Sequence, residues 1–353
     1  MTVPRQTATS SASGRASRRR GPSMADVARE AGVSGQTVSR VANGKTNVDD
    51  ATRERVLEAM RRVGYRPNSA ARALRNGQFR SIGVIISALP TFGNSRTLDA
   101  IAAAVVTEGF SIILMPVTRP TQGEVTGAFS TLNEQAVDGV IILIEQHQLD
   151  QSEIELPHGL PVVVIDSSAR YSYPVVDNDQ ADGAARATRH LLDLGHSTVW
   201  HIAGPPQSYS AERRRKSWQA TLEGAGRPVP PVLAGDWSPE SGYEAGLRLA
   251  ADPSVTAVFA ANDQMALGLL RALHETGRRV PAEVSVVGFD DMEESAHFWP
   301  PLTTIRQSFE AVGRHAVEAL LAEIETGAEA GEPVILPTEL VIRSSTAPPP
   351  TRD

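Results

Sequence analysis

The sequence predicts an α/β protein in which a small helical head precedes a larger body of two doubly wound α/β lobes. Before residue 81, apolar residues recur at helical spacing. From residue 81 onward, short apolar runs alternate with amphipathic stretches, which is the pattern of βαβ units in parallel sheets. The 353 residues are also too many for one small core, so we expect two or three domains.

The charge is divided unevenly between these two parts. Residues 1–80 hold 16 Lys and Arg against 6 Asp and Glu, whereas residues 81–353 hold 18 against 35. The split indicates a basic head suited to a polyanion and an acidic body with another role. Residues 1–22 are predicted to be a disordered basic tail, but the head keeps a positive excess without them.

The composition excludes several classes of protein. Apolar residues make up 41% and charged residues 21%, and no stretch reaches the roughly 18 apolar residues that a membrane span needs. The lack of cysteine excludes disulfides and thiolate chemistry. Residues 1–22 have no apolar region of the kind that a secretory signal requires, so we expect a cytoplasmic protein with no membrane partner.

Residues 23–67 show the spacing of a three-helix domain. Residues 24–31 form one predicted helix, Gly32 ends it, and Ser34 is a suitable N-cap for the next. A third helix runs from about residue 49 to Gly64. The predicted core is formed by Met24, Val27, Ala28, Ala31, Val33, Val38, Val41, Val56, Leu57, Met60 and Val63. A helix, a glycine turn and a capped second helix make the helix-turn-helix pattern, whose second helix enters the DNA major groove.

The second helix is polar on the side opposite its two valines. Gln36 can pair with adenine, and Arg40 can reach guanine or a phosphate. The hydroxyls that suit phosphate oxygens belong to Ser34, Thr37 and Ser39. A plain three-helix domain without DNA binding is the other interpretation of this generic pattern.

Residues 68–80 are predicted to join head and body. Asn68 can cap a short basic helix, residues 69–76, whose only large apolar side chain is Leu74. Isolated helices become stable in water only at about 12–15 residues, so this segment is marginal by itself. Two interpretations stay open: a helix that folds on DNA and inserts Leu74 between base steps, or a plain linker.

Seven apolar runs in the body are predicted to be buried strands: residues 82–86, 110–115, 139–144, 161–165, 199–203, 257–260 and 284–288. Ligands of open α/β sheets bind beyond the carboxyl ends of such strands. Asp166, Asn262 and Asp290 stand at these ends, with Arg214 in a following helix and Trp237 in a loop. Such groups can hold paired sugar hydroxyls and cover the apolar face of a sugar ring. Helix capping is the other common role of Asp and Asn at strand ends.

Motifs of the common catalytic classes do not occur in the sequence. There is no HExxH, GxSxG or GxxxxGK[ST] pattern. Asp290 and Asp291 could bind a metal, but no histidine or further carboxylate stands at ligand spacing. We therefore expect neither an enzyme nor a metal or cofactor. An extracytoplasmic sugar-binding protein would share the body but would need a signal peptide and no DNA-reading head.

Three segments in order, MADVAREAGVSGQTVSRVANG, TRERVLEAMRRVGYRPNSAARALR and SIGVI, resemble the head, hinge helix and first body strand of the LacI/GalR family. The resemblance implies a type I periplasmic-binding-protein-like body and a nucleoid-associated regulator of a palindromic operator. It also implies that Gln36 and Arg40 read bases and that Leu74 is a minor-groove wedge between paired hinge helices. Gly35 stands where the family often has a base-contacting side chain, so the operator sequence stays open.

The body resembles the same family over residues 81–343, in segments such as GDWSPESGYEAG and VSVVGFDD. This resemblance implies that a sugar, either a β-galactoside or a related glycoside, is bound by Ser87, Asp166, Arg214, Trp237, Asn262, Asp290, Gln307 and Phe309. Residues 88–97 lack the aliphatic lining found in the family, which leaves the preference for the aglycone or second sugar open.

The two lobes are expected to be interleaved along the chain. Lobe one would comprise about 81–178 and 308–337, lobe two about 179–307 and 338–343, and residues 344–353 would be a disordered tail. The C-terminal segment has no leucine heptads, so we expect a homodimer without tetramer formation.

Sugar binding is expected to reorient the lobes, melt the hinge helices and release DNA. A coupling of about 1–3 kcal/mol corresponds to a 5–150-fold change in affinity. Corepression by the ligand, and activation instead of repression, are compatible with the same residues.

Overall fold

The computed structural model describes residues 21–66, 78–87, 91–118, 121–144, 159–165, 173–327 and 332–351. They belong to two units, a head within Met1–Gly77 and a body within Gln78–Asp353. In these described ranges, no helix combines the length and apolar character needed to cross a bilayer.

The head consists of three helices, α1 (Met24–Ala31), α2 (Gly35–Ala42) and α3 (Asp50–Val63). Each begins at a side chain that accepts a backbone N–H of the first turn; these caps are Ser23, Ser34 and Asp49. Helices α1 and α3 end at Gly32 and Gly64, whose backbones have the left-handed conformation. The buried side chains between the helices are Val27, Val38, Val41, Val56, Ala59 and Met60.

The predicted helix-turn-helix pattern is confirmed, with two errors in its core. Met24 is 39% exposed and Leu57 is 42% exposed. Helix α3 buries Val56, Ala59 and Met60, at spacings of three and four, so Leu57 lies about 100° away around the helix. The prediction placed Leu57 in the core because it is apolar, although its position around α3 is exposed.

A six-stranded parallel sheet forms the centre of the first lobe. Its strands are β1 (Ser81–Ile86), β2 (Ser111–Pro116), β3 (Gly139–Leu143), β4 (Val162–Ile165), β5 (Val175–Asn178) and β11 (Val334–Leu336). They lie in the order β11-β5-β4-β3-β1-β2. One face packs on α4 (Phe92–Thr107) and α10 (Phe309–Thr326), and the other packs on α5 (Gln122–Glu134).

A four-stranded parallel sheet forms the second lobe. Its strands are β6 (Trp200–Ala203), β7 (Leu233–Ala234), β8 (Ala257–Ala260) and β9 (Ser285–Val287), in the order β7-β6-β8-β9. Buried side chains of α6 (Gln180–Asp193) and α7 (Tyr209–Gly224) cover one face. Those of α8 (Pro239–Ala250) and α9 (Asp263–Glu275) cover the other. The predicted pair of doubly wound lobes is confirmed.

The described chain connects the two sheets at three places. Strand β5 is followed directly by α6, and β11 is followed by β12 (Glu339–Val341). Strand β10 (Thr304–Arg306) precedes α10 and pairs antiparallel with β12. Residues from the two lobes therefore meet beside these connections.

The C-terminal segment packs against the second lobe. Ser345 is fully buried, its hydroxyl donates to the Val286 carbonyl at 2.6 Å, and its oxygen accepts from the Thr303 N–H at 2.8 Å. The Ala347 N–H donates to Ser285 Oγ at 3.0 Å. The prediction of a disordered tail from residue 344 is thus wrong for 344–347, because these short polar side chains replace missing partners at the edge of β9.

Candidate functional site

The candidate DNA-reading surface is the exposed side of α2. Val38 and Val41 are buried in the head, which turns Gln36 and Arg40 to solvent. Within the described head, neither of these two side chains has a hydrogen-bond partner. Both are therefore free to pair with base edges or phosphates.

The three predicted phosphate-contacting hydroxyls have local roles as well. Ser34 Oγ accepts from the Thr37 N–H at 3.1 Å and lies 2.9 Å from Thr37 Oγ1. Ser39 Oγ accepts from Asn43 Nδ2 at 3.2 Å. These bonds stabilise the start and end of α2, and each hydroxyl keeps further hydrogen-bonding capacity. The structure is therefore compatible with capping and phosphate contact at once.

Three predicted site residues lie outside the described residues: Asn68 and Leu74 in the hinge, and Asp166 after β4. Their roles stay predictions.

The second candidate site is a cleft in the body, at the carboxyl ends of both sheets. The space between its walls is about 550 Å³, part of which is open to solvent. Predicted residues that line it are Arg214, Trp237, Asn262, Asp290, Gln307 and Phe309. Ser87 is buried but does not line the cleft; its carbonyl instead accepts from Asn94 Nδ2 at 2.8 Å, and Asn94 lines the cleft in its place.

Four buried side chains form a closed polar ring in the cleft, from here on the polar ring: Arg214, Gln180, Gln307 and Asp290. Arg214 Nε donates to Gln180 Oε1 at 2.9 Å, and Gln180 Nε2 donates to Gln307 Oε1 at 2.9 Å. Gln307 Nε2 donates to Asp290 Oδ1 at 2.7 Å, and Arg214 Nη1 lies 3.7 Å from that oxygen. Arg214 also donates to the Ala261 carbonyl.

The polar ring orients its own members. Each amide is oriented by a donor on one side and an acceptor on the other, and the Arg214 guanidinium lies 3.7 Å above the Phe289 ring centroid. A rigid set of donors and acceptors loses little side-chain entropy on binding. Sequence reasoning missed Gln180, although it follows the strand VVDN at the start of a helix, where a cleft residue is expected.

Trp237 and Asn262 form one wall of the cleft. The backbone of Trp237 has φ 74°, and its indole lies so close to Gly204 that a Cβ there would be 2.3 Å from the ring. Asn262 Nδ2 donates to the Trp237 carbonyl at 3.1 Å, while Asn262 Oδ1 accepts from the Met265 N–H and caps α9. Asn262 is therefore a helix cap and a cleft residue together.

The opposite wall carries polar side chains from residues 88–97, the stretch that lacks the family's aliphatic lining. Thr91, Asn94 and Thr97 at the start of α4 line the cleft beside two aromatic rings. Phe92 and Phe309 make an edge-to-face contact with centroids 5.8 Å apart. This wall can therefore contact both hydroxyls and apolar substituents.

The loop that carries Asp290 is held by a buried carboxylate, Asp263. Its oxygens accept from the Met292 N–H at 2.9 Å, Ser295 Oγ at 2.6 Å and Thr304 Oγ1. Complete burial raises the pKa of Asp263 to about 6, against the lowering effect of these bonds. Since the Asp290 backbone has φ 111°, this anchor maintains an uncommon conformation.

A second buried carboxylate, Asp177, lines the floor of the cleft at the end of β5. Gln180 Nε2 lies 3.4 Å from its Oδ1. Burial raises the pKa of Asp177 to about 6, while the hydrogen bond from Gln180 and the charge of Arg213 act in the lowering direction. Sequence reasoning missed this residue too.

No ion-binding cluster accompanies these carboxylates: in the ranges that the structure describes, no group of three or more His, Asp or Glu side chains is arranged to hold a metal.

Comparison with known proteins finds matches to both the head and the body. A family model for bacterial regulatory proteins of the lacI family matches residues 23–68, and a periplasmic binding protein-like domain matches residues 188–346. The lactose operon repressor of Escherichia coli (strain K12) is 37% identical over 331 residues, 93% of this chain and 91% of that protein. The repressor PurR of Haemophilus influenzae (strain PittEE) is 34% identical over 327 residues, 91% of this chain and 97% of that protein.

A solved structure is similar over the same range. The lac repressor dimer bound to operator and the anti-inducer ONPF superposes with a TM-score of 0.82 at 35% identity. The match covers 93% of this chain and 100% of that chain.

A helix-turn-helix head joined to a two-lobed body with a polar cleft defines a DNA-binding regulator with a ligand-binding domain. The chain belongs to the LacI family of bacterial transcriptional regulators. The predicted family and fold class are confirmed. The two relatives named above are repressors.

Proposed function

We propose that this protein is a dimeric repressor that binds a palindromic operator and releases it when a small carbohydrate, a β-galactoside or a related glycoside, enters the cleft. The observation that carries the proposal is the polar ring beside the indole of Trp237. A ring of fixed donors and acceptors next to an aromatic face is the arrangement that a sugar requires.

The chemistry of the cleft favours hydroxyl groups. Arg214 donates, Asp290 accepts, and Asn262 and Gln307 do both, so a vicinal pair of hydroxyls can be held from two sides. The half-buried rings of Trp237 and Phe309 supply apolar surface for the C–H face of a pyranose. The similarity to the lactose operon repressor over 93% of the chain supports a galactoside as the first candidate.

The head would read DNA as one half of a symmetric pair. One helix-turn-helix contacts few base pairs, so two heads on a two-fold dimer are needed for useful specificity. The body exposes several large apolar side chains that a second copy can cover, among them Val106, Leu114, Leu267 and Trp299. Leu74, outside the described residues, would insert between base steps where two hinge helices meet.

Control would come from the connections between the lobes. The polar ring joins Asp290 and Arg214 of lobe two to Gln180 and Gln307, which follow β5 and β10 at the connections. A ligand that replaces some of these bonds changes the preferred orientation of the lobes. The hinge, marginal by its length, then loses its helical form and the heads separate.

The test is operator release across a defined ligand panel. A fluorescent duplex is first selected from a random library with the full-length protein, and its binding is followed by anisotropy at fixed salt. The panel contains methyl β-D-galactoside, methyl β-D-glucoside, cellobiose and hypoxanthine. We expect release by a glycoside; no response to any glycoside combined with tight hypoxanthine binding would contradict the sugar assignment.

A non-sugar effector is the second candidate, because PurR repressors align with this chain almost as well as the lactose operon repressor does. The same titration distinguishes a sugar from a non-sugar effector, since it shows which ligand acts and whether operator binding becomes weaker or tighter. Tighter operator binding on ligand addition would identify a corepressor.

A further inference from the structure

We propose that Asp177 is an effector-binding residue: its Oδ2 accepts a hydrogen bond from a hydroxyl or other donor group of the ligand at the floor of the cleft. This inference rests on the proposed function of the cleft. It adds an acceptor on lobe one that neither the motifs nor the family resemblance indicated.

The first support is an unpartnered oxygen. Asp177 is 3% exposed and lines the cleft, and its Oδ2 has no hydrogen-bond partner among the residues that the structure describes. The other oxygen is within reach of Gln180 Nε2 only at 3.4 Å. Leaving a buried acceptor without a partner is costly, and such groups in native proteins commonly have a functional partner.

The second support is the position of Asp177 relative to the polar ring. Asp177 lies in the last two residues of β5 in the sheet of lobe one, whereas Asp290 follows β9 in the sheet of lobe two. Gln180 contacts Asp177 and, through Gln307, is linked to Asp290. A ligand that donates to both carboxylates would contact both lobes, which is the requirement for favouring one lobe orientation over another.

The charges around Asp177 identify the chemistry of the group it accepts. Arg213 and Arg214 of α7 are the cations that act on it, and neither forms an ion pair with Asp177. An ionised carboxylate can only accept hydrogen bonds, so the group opposite must donate. Since burial already raises the pKa of Asp177 to about 6, a donor ligand binds best above that pH.

The experiment compares Asp177→Asn with the wild-type protein and with Asp193→Asn, which removes an exposed carboxylate at the end of the same helix that Gln180 begins. Affinity is measured by calorimetry at pH 7.5 with the tightest-binding glycoside of the panel above and with each of its monodeoxy analogues. We expect Asp177→Asn to bind the glycoside at least tenfold more weakly than the wild type does. One monodeoxy analogue should bind the wild type more weakly than the parent glycoside does, whereas the variant should bind that analogue and the parent glycoside equally.

Thermal unfolding without ligand is the second measurement. Removal of an uncompensated buried charge should leave the melting temperature of Asp177→Asn equal to that of the wild type or higher. A lower melting temperature together with weaker binding of every analogue by the same factor would show a structural role and overturn the proposal. Equal affinity of Asp177→Asn and wild type would overturn it as well.

Failure of the proposed function is distinguishable from failure of this inference. If the wild type binds no glycoside but binds hypoxanthine, the sugar assignment fails, and hypoxanthine becomes the probe. Asp177→Asn should then weaken binding of hypoxanthine, whose ring N–H groups are donors, and unchanged affinity would overturn the role of Asp177.

Discussion

At the residue scale, the cleft residues form hydrogen bonds to one another. Asn262 caps α9 and also holds the Trp237 carbonyl, and Arg214 is fixed by Gln180, by a backbone carbonyl and by the Phe289 ring. The structural and functional roles that the sequence left as alternatives are therefore combined in the same side chains. Such second roles make the geometry of the site independent of solvent.

A buried histidine away from the cleft gives a prediction at this scale. His201 is stacked between Trp218 and Phe259, at centroid distances of 5.1 and 4.7 Å, and burial lowers its pKa from 6.5 to about 4. The unfolded chain takes up a proton near pH 6.5 and the folded protein does not, so stability is lost as pH falls from about 6.5 to about 4. His201→Phe removes this loss.

The measurement is urea unfolding of His201→Phe and wild type at pH 7, 6, 5 and 4.5. As pH falls through the range between the two pKa values, the free energy of unfolding of the wild type should decrease by about 3 kcal/mol relative to that of His201→Phe. Asp177 and Asp263, with raised pKa values, act in the opposite direction in both proteins and cancel in the difference. Parallel pH profiles would contradict the prediction; the exposed His274→Gln serves as the control.

At the element scale, α2 and the C-terminal segment are both held by packing against the rest of the protein. Helix α2 has Gly35 at its first position and only two buried valines, so its own stability is low. The C-terminal segment has no regular structure, yet it is fixed by buried hydrogen bonds. Packing, not local preference, holds both segments in place.

Gly35→Ala should stabilise the head. A Cβ at this position has no atom within 4 Å, and its backbone is not left-handed. Alanine reduces the freedom of the unfolded chain and adds helix propensity, so we expect a gain of about 0.4–1 kcal/mol. Gly32→Ala, where φ is 66°, is the matched control and should destabilise the same head. Thermal unfolding followed by circular dichroism distinguishes the two directions.

Deletion of residues 345–353 should destabilise the second lobe. It removes Ser345 and Ala347 and leaves the buried Val286 and Thr303 backbone groups without their partners. Each such group costs on the order of 1–3 kcal/mol. Deletion of residues 350–353 alone, beyond these contacts, should change little. Equal melting temperatures for the two truncated proteins would contradict this expectation.

At the scale of the whole molecule, the proposed function requires coupling between the basic head and the acidic body. Binding to DNA would involve Lys and Arg contacts to phosphates, so operator affinity should fall steeply with salt. Affinity for an uncharged sugar should not. The coupling between the two sites is a free energy, and it acts equally in both directions.

Reciprocity gives the prediction for this scale. If the glycoside weakens operator binding by a given factor, saturating operator must weaken glycoside binding by the same factor, expected within 5–150-fold. Calorimetric titration of the glycoside with and without operator measures it directly, and sedimentation of the same samples checks for a dimer. Equal sugar affinities in the two titrations would exclude induction through the hinge.

Much of this protein could be predicted because its strongest signals are local. The seven apolar runs predicted as strands occur within about one residue of the observed β1, β2, β3, β4, β6, β8 and β9. Strands β5, β7, β10, β11 and β12 were missed, and polar or charged residues stand within three of them, β5, β10 and β12. Asn262 and Asp290 follow predicted strands and were found, whereas Asp177 lies within the missed strand β5 and Gln180 follows it.

The sequence by itself determined the order of the helices in the head, the α/β alternation of the body and the chemical types of side chain available for a ligand. These depend on spacing along the chain, which is a local property. Only the tertiary structure decided that Gln180 and Gln307, 127 positions apart, complete one ring, and that Ser345 and Ala347 are held by hydrogen bonds to the second lobe. Such contacts arise where separate strands end at one edge, and no local preference specifies them.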